Sequence, residues 1–375
     1  MEAKLAKYLH MKGAQLGLPT SGTFELTPRC NFNCRMCYVH LTQEEQLARG
    51  RELTTEEWLR IGKEARDAGT VFLLLTGGEP TLRPDFPELL HKLKKMGLFV
   101  TVNSNGVLLE GKLLEYLKND PPTRFNISLY GTNNETYEAL CGVPAYDRVL
   151  RNIQALREVG IDVKVNMSVT PANNQDMSAV YETAKRMNVH TQAASYMFPP
   201  VRLHPELCGR NFRMDAEEAG KTQARYEFCK CTKEQFLRRV QALRDNISPE
   251  EETDEDCGED CSDGDIIRCR AGKTAFWIDW DGKMLPCGQM AEPAVNVLEI
   301  GFSEAWKQTR ANAAAIRLPP ECSTCDIRNI CHACAAMCYC ETGSFSKKPE
   351  YVCRMKRSYI NAMMQYWQEE YGGEL

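Results

Sequence analysis

The sequence predicts an α/β protein: a partial (βα)6 barrel followed by a cysteine-rich C-terminal domain. Two observations lead there. From Thr23 to about Met197, short β-branched or apolar runs alternate with longer stretches of helical period, and eleven of the eighteen cysteines lie from Cys257 onward. Alternating β and α units favour a parallel sheet with helices outside it. A chain of 375 residues also exceeds one ordinary core, so a large α/β domain plus a smaller one is the natural division.

Taken in order, residues 1–22 form an N-terminal extension. Six strands are expected in "TFELT" (23–27), "VFLLLTGG" (71–78), "FVTVNSN" (99–105), "FNISLYG" (125–131), "VKVNMSV" (163–169) and "TQAASYM" (191–197). Helical segments such as "TTEEWLRIGKEARDAG" and "YDRVLRNIQALREVG" separate them, the first capped by Thr54 or Thr55 with acidic residues behind. The barrel is expected to span 23–213, with chemistry at the C-terminal strand ends, where "CNFNCRMC", "TGGEP", "NSNG" and "SLYG" all fall. A long polar helix is expected from Arg213 to about Asp245. The run "SPEEETDEDCGEDCSDGD" (248–265) reads as a solvated acidic linker, so 214–265 joins the barrel to a domain at 266–375. In that last segment only "RMKRSYINAMMQYWQEEYG" shows a long period, and ligands rather than an apolar core are expected to organise it.

Composition narrows the function. A hydrophobic fraction of 43%, a charged fraction of 26% and a net charge of -5 describe a globular protein without the broad basic field that nucleic acid requires. No run approaches the ~18 apolar residues of a membrane helix, and the N-terminus lacks a secretory signal. A cytoplasmic location is therefore expected. Eighteen cysteines in a reducing compartment point to metal or cluster ligation rather than disulfides.

"CNFNCRMCYVH" places Cys30, Cys34 and Cys37 on one loop after the first strand. A zinc site completed by His40, a Cys34–Cys37 redox pair and three buried thiols are the alternatives. An iron–sulfur cluster held by three thiolates satisfies the spacing and leaves one iron open to a small ligand. Further on, Cys269, Cys287, Cys322, Cys325, Cys331, Cys334, Cys338, Cys340 and Cys353 form a second field whose C-x2-C pairs alone also suit a zinc ribbon.

The C-x3-C-x-Φ-C spacing, with Met36 as the apolar Φ, resembles the signature of radical S-adenosylmethionine (AdoMet) enzymes. "TGGEP" resembles the turn with which that family grips the methionine amine. Gly77 and Gly78 would let backbone carbonyls approach, and Glu79 would balance the cation. The resemblance implies a TIM-like partial barrel and a 4Fe-4S cluster whose unique iron binds AdoMet, with Ser104, Ser128 and Asn166 as further AdoMet contacts. Where relatives among the sulfatase maturases carry a carboxylate-binding arginine this chain has Leu140, leaving Arg148 or Arg151 as substitutes.

The second field resembles the SPASM extension of peptide-modifying members, which binds two auxiliary 4Fe-4S clusters. By that resemblance Cys322, Cys325, Cys331 and Cys353 hold the distal cluster. Cys269, Cys287 and Cys334 hold the proximal one, with Cys261 as fourth ligand and Cys338 or Cys340 in reserve. The resemblance implies three clusters, AdoMet, an external electron donor such as flavodoxin or ferredoxin, and oxidative C–C or C–S bond formation, or a related modification, in a ribosomally made peptide. No catalytic residue is assigned. Gly288 stands where sulfatase maturases carry a basic aspartate, and only about twenty residues precede Thr23, so leader recognition is expected to be separate or dispensed with. Oxidation of a small molecule, a non-catalytic iron–sulfur electron carrier and a zinc-binding interaction protein are the competing functions.

Overall fold

The computed structural model describes residues 2–247, 266–331 and 333–372. Cys257, Cys261 and the acidic run lie outside the described residues. A helix, Glu2–Leu16, leads into nine strands: β1 (Ser21–Glu25), β2 (Phe72–Thr76), β3 (Phe99–Ser104), β4 (Arg124–Ser128), β5 (Val163–Ser168), β6 (His190–Ala194), β7 (Ala275–Ile278), β8 (Lys283–Leu285) and β9 (Val295–Asn296). They form one sheet in the order β6-β5-β4-β3-β2-β1-β7-β8-β9. The six expected strands run parallel, and the barrel stays open because β6 is an edge.

Side-chain alternation divides the strands between two environments. Phe24, Leu73, Leu75, Val100, Val102, Phe125, Ile127 and Val165 are buried in the main core. Phe24 meets Trp58 of the helix Thr55–Asp67 at 4.8 Å between rings, which fixes this as the helix-facing side. Their alternates, among them Glu25, Thr76, Asn103, Asn126, Ser128, Asn166 and Gln192, therefore face the lumen. Thr54 caps the helix Thr55–Asp67 and Glu57 closes the reciprocal bond, so the first turn has its donors satisfied.

Two expectations fail. The polar helix after Arg213 is two helices, Ala216–Lys230 and Lys233–Arg244, because Cys231 turns extended and Thr232 and Gln235 form a new capping box. Beyond residue 266 there is more regular structure than the pattern suggested, including the helix Phe302–Ala315. Its buried face alternates Phe302 and Trp306 with Ala305, Thr309 and Ala313, a weak apolar signal. An apolar core contributes there beside any ligands: Ile267, Met290, Ile316, Leu318, Ala335 and Ala336 cluster together, and Phe276, Ile278, Met284 and Phe302 join the main core.

The last segment is also tied into the barrel. Strand β7 pairs in parallel with β1, Thr23 opposite Trp277 and Phe24 opposite Ile278. Lumen-facing Trp277 of β7, and Asp279 just beyond the strand, thus stand near Glu25.

Candidate active site

The cysteine loop leaves the top of β1 and is held by backbone. Asn33 N–H donates to Cys141 O at 2.9 Å, Arg35 N–H to Leu140 O at 3.0 Å and Cys37 N–H to Cys34 O at 3.0 Å. Cys30, Cys34 and Cys37 are half-buried, while Met36 is buried in the main core. Burial pushes the Cys30 thiol up to about 12 and the Cys37 thiol to about 11, so a thiolate at either position needs a bound cation. His40 lines a cleft of about 500 Å³ with Cys34, Arg35, Cys37, His204 and Phe212, and its N–H meets Cys37 Sγ at 3.3 Å. Among the described residues no three His, Cys, Asp or Glu side chains are arranged to hold a single metal ion.

The turn after β2 packs directly on this loop. Gly78 N–H donates to Thr27 O at 2.7 Å and Glu79 N–H to Arg29 O at 2.9 Å. A Cβ on Gly77 or Gly78 would lie 2.4 or 2.3 Å from those same carbonyl oxygens, so both positions require glycine. Glu79 is wholly buried and accepts from Thr81 N–H at 3.1 Å, Ser104 Oγ–H at 3.0 Å and Asn105 N–H at 2.7 Å. Burial pushes its carboxyl up, against the pull of those donors. Ser104 is thus in direct contact with Glu79. Asn105 continues the chain, its Nδ2 donating to Asn31 Oδ1 at 2.7 Å beside Cys30.

Ser128 and Asn166 are partners across β4 and β5. Asn166 Oδ1 is buried without a hydrogen-bond partner, an acceptor left open in the lumen wall. Asn126 Nδ2, one layer below, is spent on Asn103 Oδ1 at 2.8 Å. Arg148 and Arg151 lie on the solvent side of the helix Tyr146–Glu158, whose other side buries Val149 and Ile153, and Arg148 pairs with Glu110 at 2.5 Å.

Sequence reasoning missed the support beneath the cysteine loop. Glu52 accepts from Thr27 Oγ1–H at 2.5 Å and takes Arg29 in a two-pronged pair at 2.7 and 2.9 Å. Arg83, 7% exposed, adds donors to Leu26 O and Leu53 O. It also missed Glu25, although an acid in an apolar strand was a visible signal. Glu25 is fully buried, accepts from Trp277 Nε1–H at 3.0 Å and pairs with Arg202 at 2.6 Å. Asp279 lies 3.7 Å from Arg202, and its carboxyl is pushed well up by burial and its bond to Asp281.

The second thiol field divides into two groups. Cys269, Cys287 and Cys334 lie within electrostatic reach of one another, and so do Cys322, Cys325, Cys331 and Cys353. Cys338, on the helix Ala335–Thr342, lies within electrostatic reach of Cys334 as well as of the second group; Cys340, on the same helix, lies beside Cys287 and donates to Gln289 O at 3.2 Å. Burial raises Cys287 to about 11 and both Cys338 and Cys340 to about 12.

The family model described as the Radical SAM superfamily matches residues 24–184, and that of the SPASM iron-sulfur cluster-binding domain matches 269–335. The chain thus carries a radical SAM domain and, after its partial barrel, a SPASM domain. An AdoMet-dependent heme synthase of Methanosarcina barkeri is 28% identical over 352 residues, 90% of this chain and 97% of that protein. SuiB of Streptococcus suis bound to its precursor peptide SuiA superposes with a TM-score of 0.67 at 18% identity, over 92% of this chain and 79% of SuiB. The AdoMet-bound anSMEcpe gives 0.67 at 15% identity, over 95% and 96%. At such identities the two structures speak to the fold. The domains imply 4Fe-4S clusters and AdoMet. Among the described residues no helix is long and apolar enough to cross a membrane.

The residues present suit these groups. Three half-buried thiols share one loop, where burial opposes their ionisation without a bound cation, and an unpartnered Asn166 oxygen stands in the lumen beside Ser128.

Proposed function

We propose that this radical SAM enzyme is an oxidoreductase that modifies a ribosomally made peptide, by C–C or C–S crosslinking or a related two-electron oxidation. The observation that carries the reading is the placement of the lumen. Its polar wall runs from the cysteine loop at the end of β1 to the Cys287 turn that β8 presents beside β7. When bound, the cluster at Cys30, Cys34 and Cys37 and AdoMet supply a 5'-deoxyadenosyl radical, which takes hydrogen from an unactivated C–H bond.

The chain's own residues bind and orient. Glu79 holds the strand-end loops after β2 and β3 in register, Asn166 Oδ1 accepts from a ribose hydroxyl, and Ser104 and Ser128 fill the same end of the lumen. Cys269, Cys287 and Cys334, with a fourth ligand from Cys261, Cys338 or Cys340, hold a proximal cluster; Cys322, Cys325, Cys331 and Cys353 hold a distal one. We place the barrel at 23–213 and the auxiliary domain at 266–375. A flavodoxin or ferredoxin as electron donor, a separate leader-binding protein and a cytoplasmic location complete the reading. SuiB bound to precursor peptide SuiA, and anSMEcpe bound to the Kp18Cys peptide, support a peptide.

A second reading, oxidation of a small molecule, is favoured by the near end-to-end match to the heme synthase. Anaerobically reconstituted protein with roughly twelve irons per chain is expected to convert AdoMet to 5'-deoxyadenosine on reduction. Co-expression with short peptides encoded beside its gene should remove two hydrogens from one of them. AdoMet turnover with no peptide change supports the second reading, and intact clusters without AdoMet cleavage refute both.

A further inference from the structure

Two helices carry thiols of the auxiliary region, and both are tied to the barrel at one place. The helix Ala335–Thr342 holds Cys338 and Cys340 behind its N-cap Cys334, and the helix Glu350–Tyr371 holds Cys353. The first is short, has no side-chain cap, and buries Ala335 and Ala336, small groups that offer few packing contacts. Glu341 stands in its last turn, where the helix dipole disfavours a carboxylate, yet its side chain is 5% exposed. A buried acid at that end of a helix asks for a role other than helix stability.

Its partners come from the barrel. Tyr196, two residues past β6, donates Oη–H to Glu341 Oε1 at 2.6 Å. Arg213, 8% exposed, donates to both carboxylate oxygens, Nη2 to Oε2 at 3.0 Å. The same guanidinium donates to Gly209 O at 2.7 Å and lies 3.7 Å from the centre of the Tyr351 ring. Tyr351 Oη–H donates to Met214 O at 2.8 Å, and Gly209 N–H to Cys340 O at 2.8 Å. Two-pronged pairing sets an angle as well as a distance, and stacking on Tyr351 sets the plane of the guanidinium. Desolvation offsets much of the attraction in such a buried pair, and setting a unique register is its better attested use. Glu341 directly follows Cys340, and Tyr351 lies two residues before Cys353. One latch therefore grips the chain beside a thiol of each helix.

We propose that Glu341, Arg213, Tyr196 and Tyr351 are positioning residues that set both auxiliary thiol groups at fixed distances from the cysteine loop of the barrel. The proposal rests on the reading that all three thiol groups hold iron–sulfur clusters, since the separation then governs how readily an electron passes between them.

The test uses the reconstituted full-length protein, reduced and without substrate. Magnetic coupling between the cysteine-loop cluster and the auxiliary clusters, read by electron paramagnetic resonance, should be sharp in the wild type and weakened and broadened in Arg213→Met and Glu341→Gln. Arg213→Lys, which keeps the charge, should recover part of it. Hydrogen exchange across residues 335–342 should quicken about tenfold in Arg213→Met, while β1 to β5 stay protected. Tyr196→Phe removes a single hydroxyl, should give a smaller change of the same kind, and decides the matter if the charge variants do not fold. Coupling and exchange unchanged at wild-type iron and sulfide content overturn the positioning role, and so does a loss of protection spread evenly over the barrel; both outcomes leave the cluster reading intact. A wild type that holds no auxiliary iron overturns that reading and the proposal with it.

Discussion

The two thiol-bearing regions are built on opposite principles. The loop from Cys30 to Cys37 is set by backbone bonds to Cys141 and Leu140, by the glycine turn behind it and by the Glu52–Arg29 pair, all anchored in the main core. The thiols from Cys269 to Cys353 come from loops, a short helix and the C-terminal helix Glu350–Tyr371, with a small core in which four alanines stand beside Ile267, Met290, Ile316 and Leu318. The first arrangement is preformed by the fold. The second leans on its ligands, and metal binding there is part of the folding free energy.

Chelation should have the largest effect and tests that contrast directly. Hydrogen exchange on the apo protein should show residues 318–331 losing protection while β1 to β5 keep theirs; equal loss in both regions would break the distinction. Trp58→Ala attacks the other side. Removing this fully buried ring from against Phe24 should cost about 3–5 kcal/mol in urea unfolding, with the barrel and cysteine loop melting together. Glu79→Ala is next: it strands donors from Thr81, Ser104 and Asn105 and should cost about 1–3 kcal/mol with weakened AdoMet binding by calorimetry. The smallest effect comes from Glu57, whose carboxyl the Arg51 guanidinium and the Thr54 cap hold down at about 2. Its stabilisation is complete above the ordinary carboxylate range and fades as pH falls toward that value. Melting curves should show Glu57→Gln flattening this acid-side slope and leaving cluster content unchanged.

The contrast also marks what the sequence discloses. The strands were legible because the short apolar or β-branched runs carrying Phe24, Leu73, Val100, Ile127 and Val165 alternate with stretches of helical period, and the cysteine loop because its three thiols are neighbours in the chain. Glu79 was found from its turn, but its partners Ser104 and Asn105 come from the next strand end, which only folding brings near. Arg202 was invisible: it sits in the irregular segment after β6 and meets Glu25 across 177 positions. The pairing of β7 with β1 was hidden for the same reason, being nonlocal and four residues long. The break at Cys231 was missed because Thr232 and Gln235 look like ordinary surface residues until they form a cap.

That nonlocal pairing has a consequence for how the protein is made. During synthesis β2 can zip onto one margin of β1 early, but the other margin keeps its amides and carbonyls bare until Ile278 has left the ribosome. At about 5–20 residues per second, this exposure lasts on the order of tens of seconds. An unguarded strand margin invites sticking to neighbouring nascent chains, so the yield of native enzyme is expected to depend on chaperone supply and on slower, cooler expression.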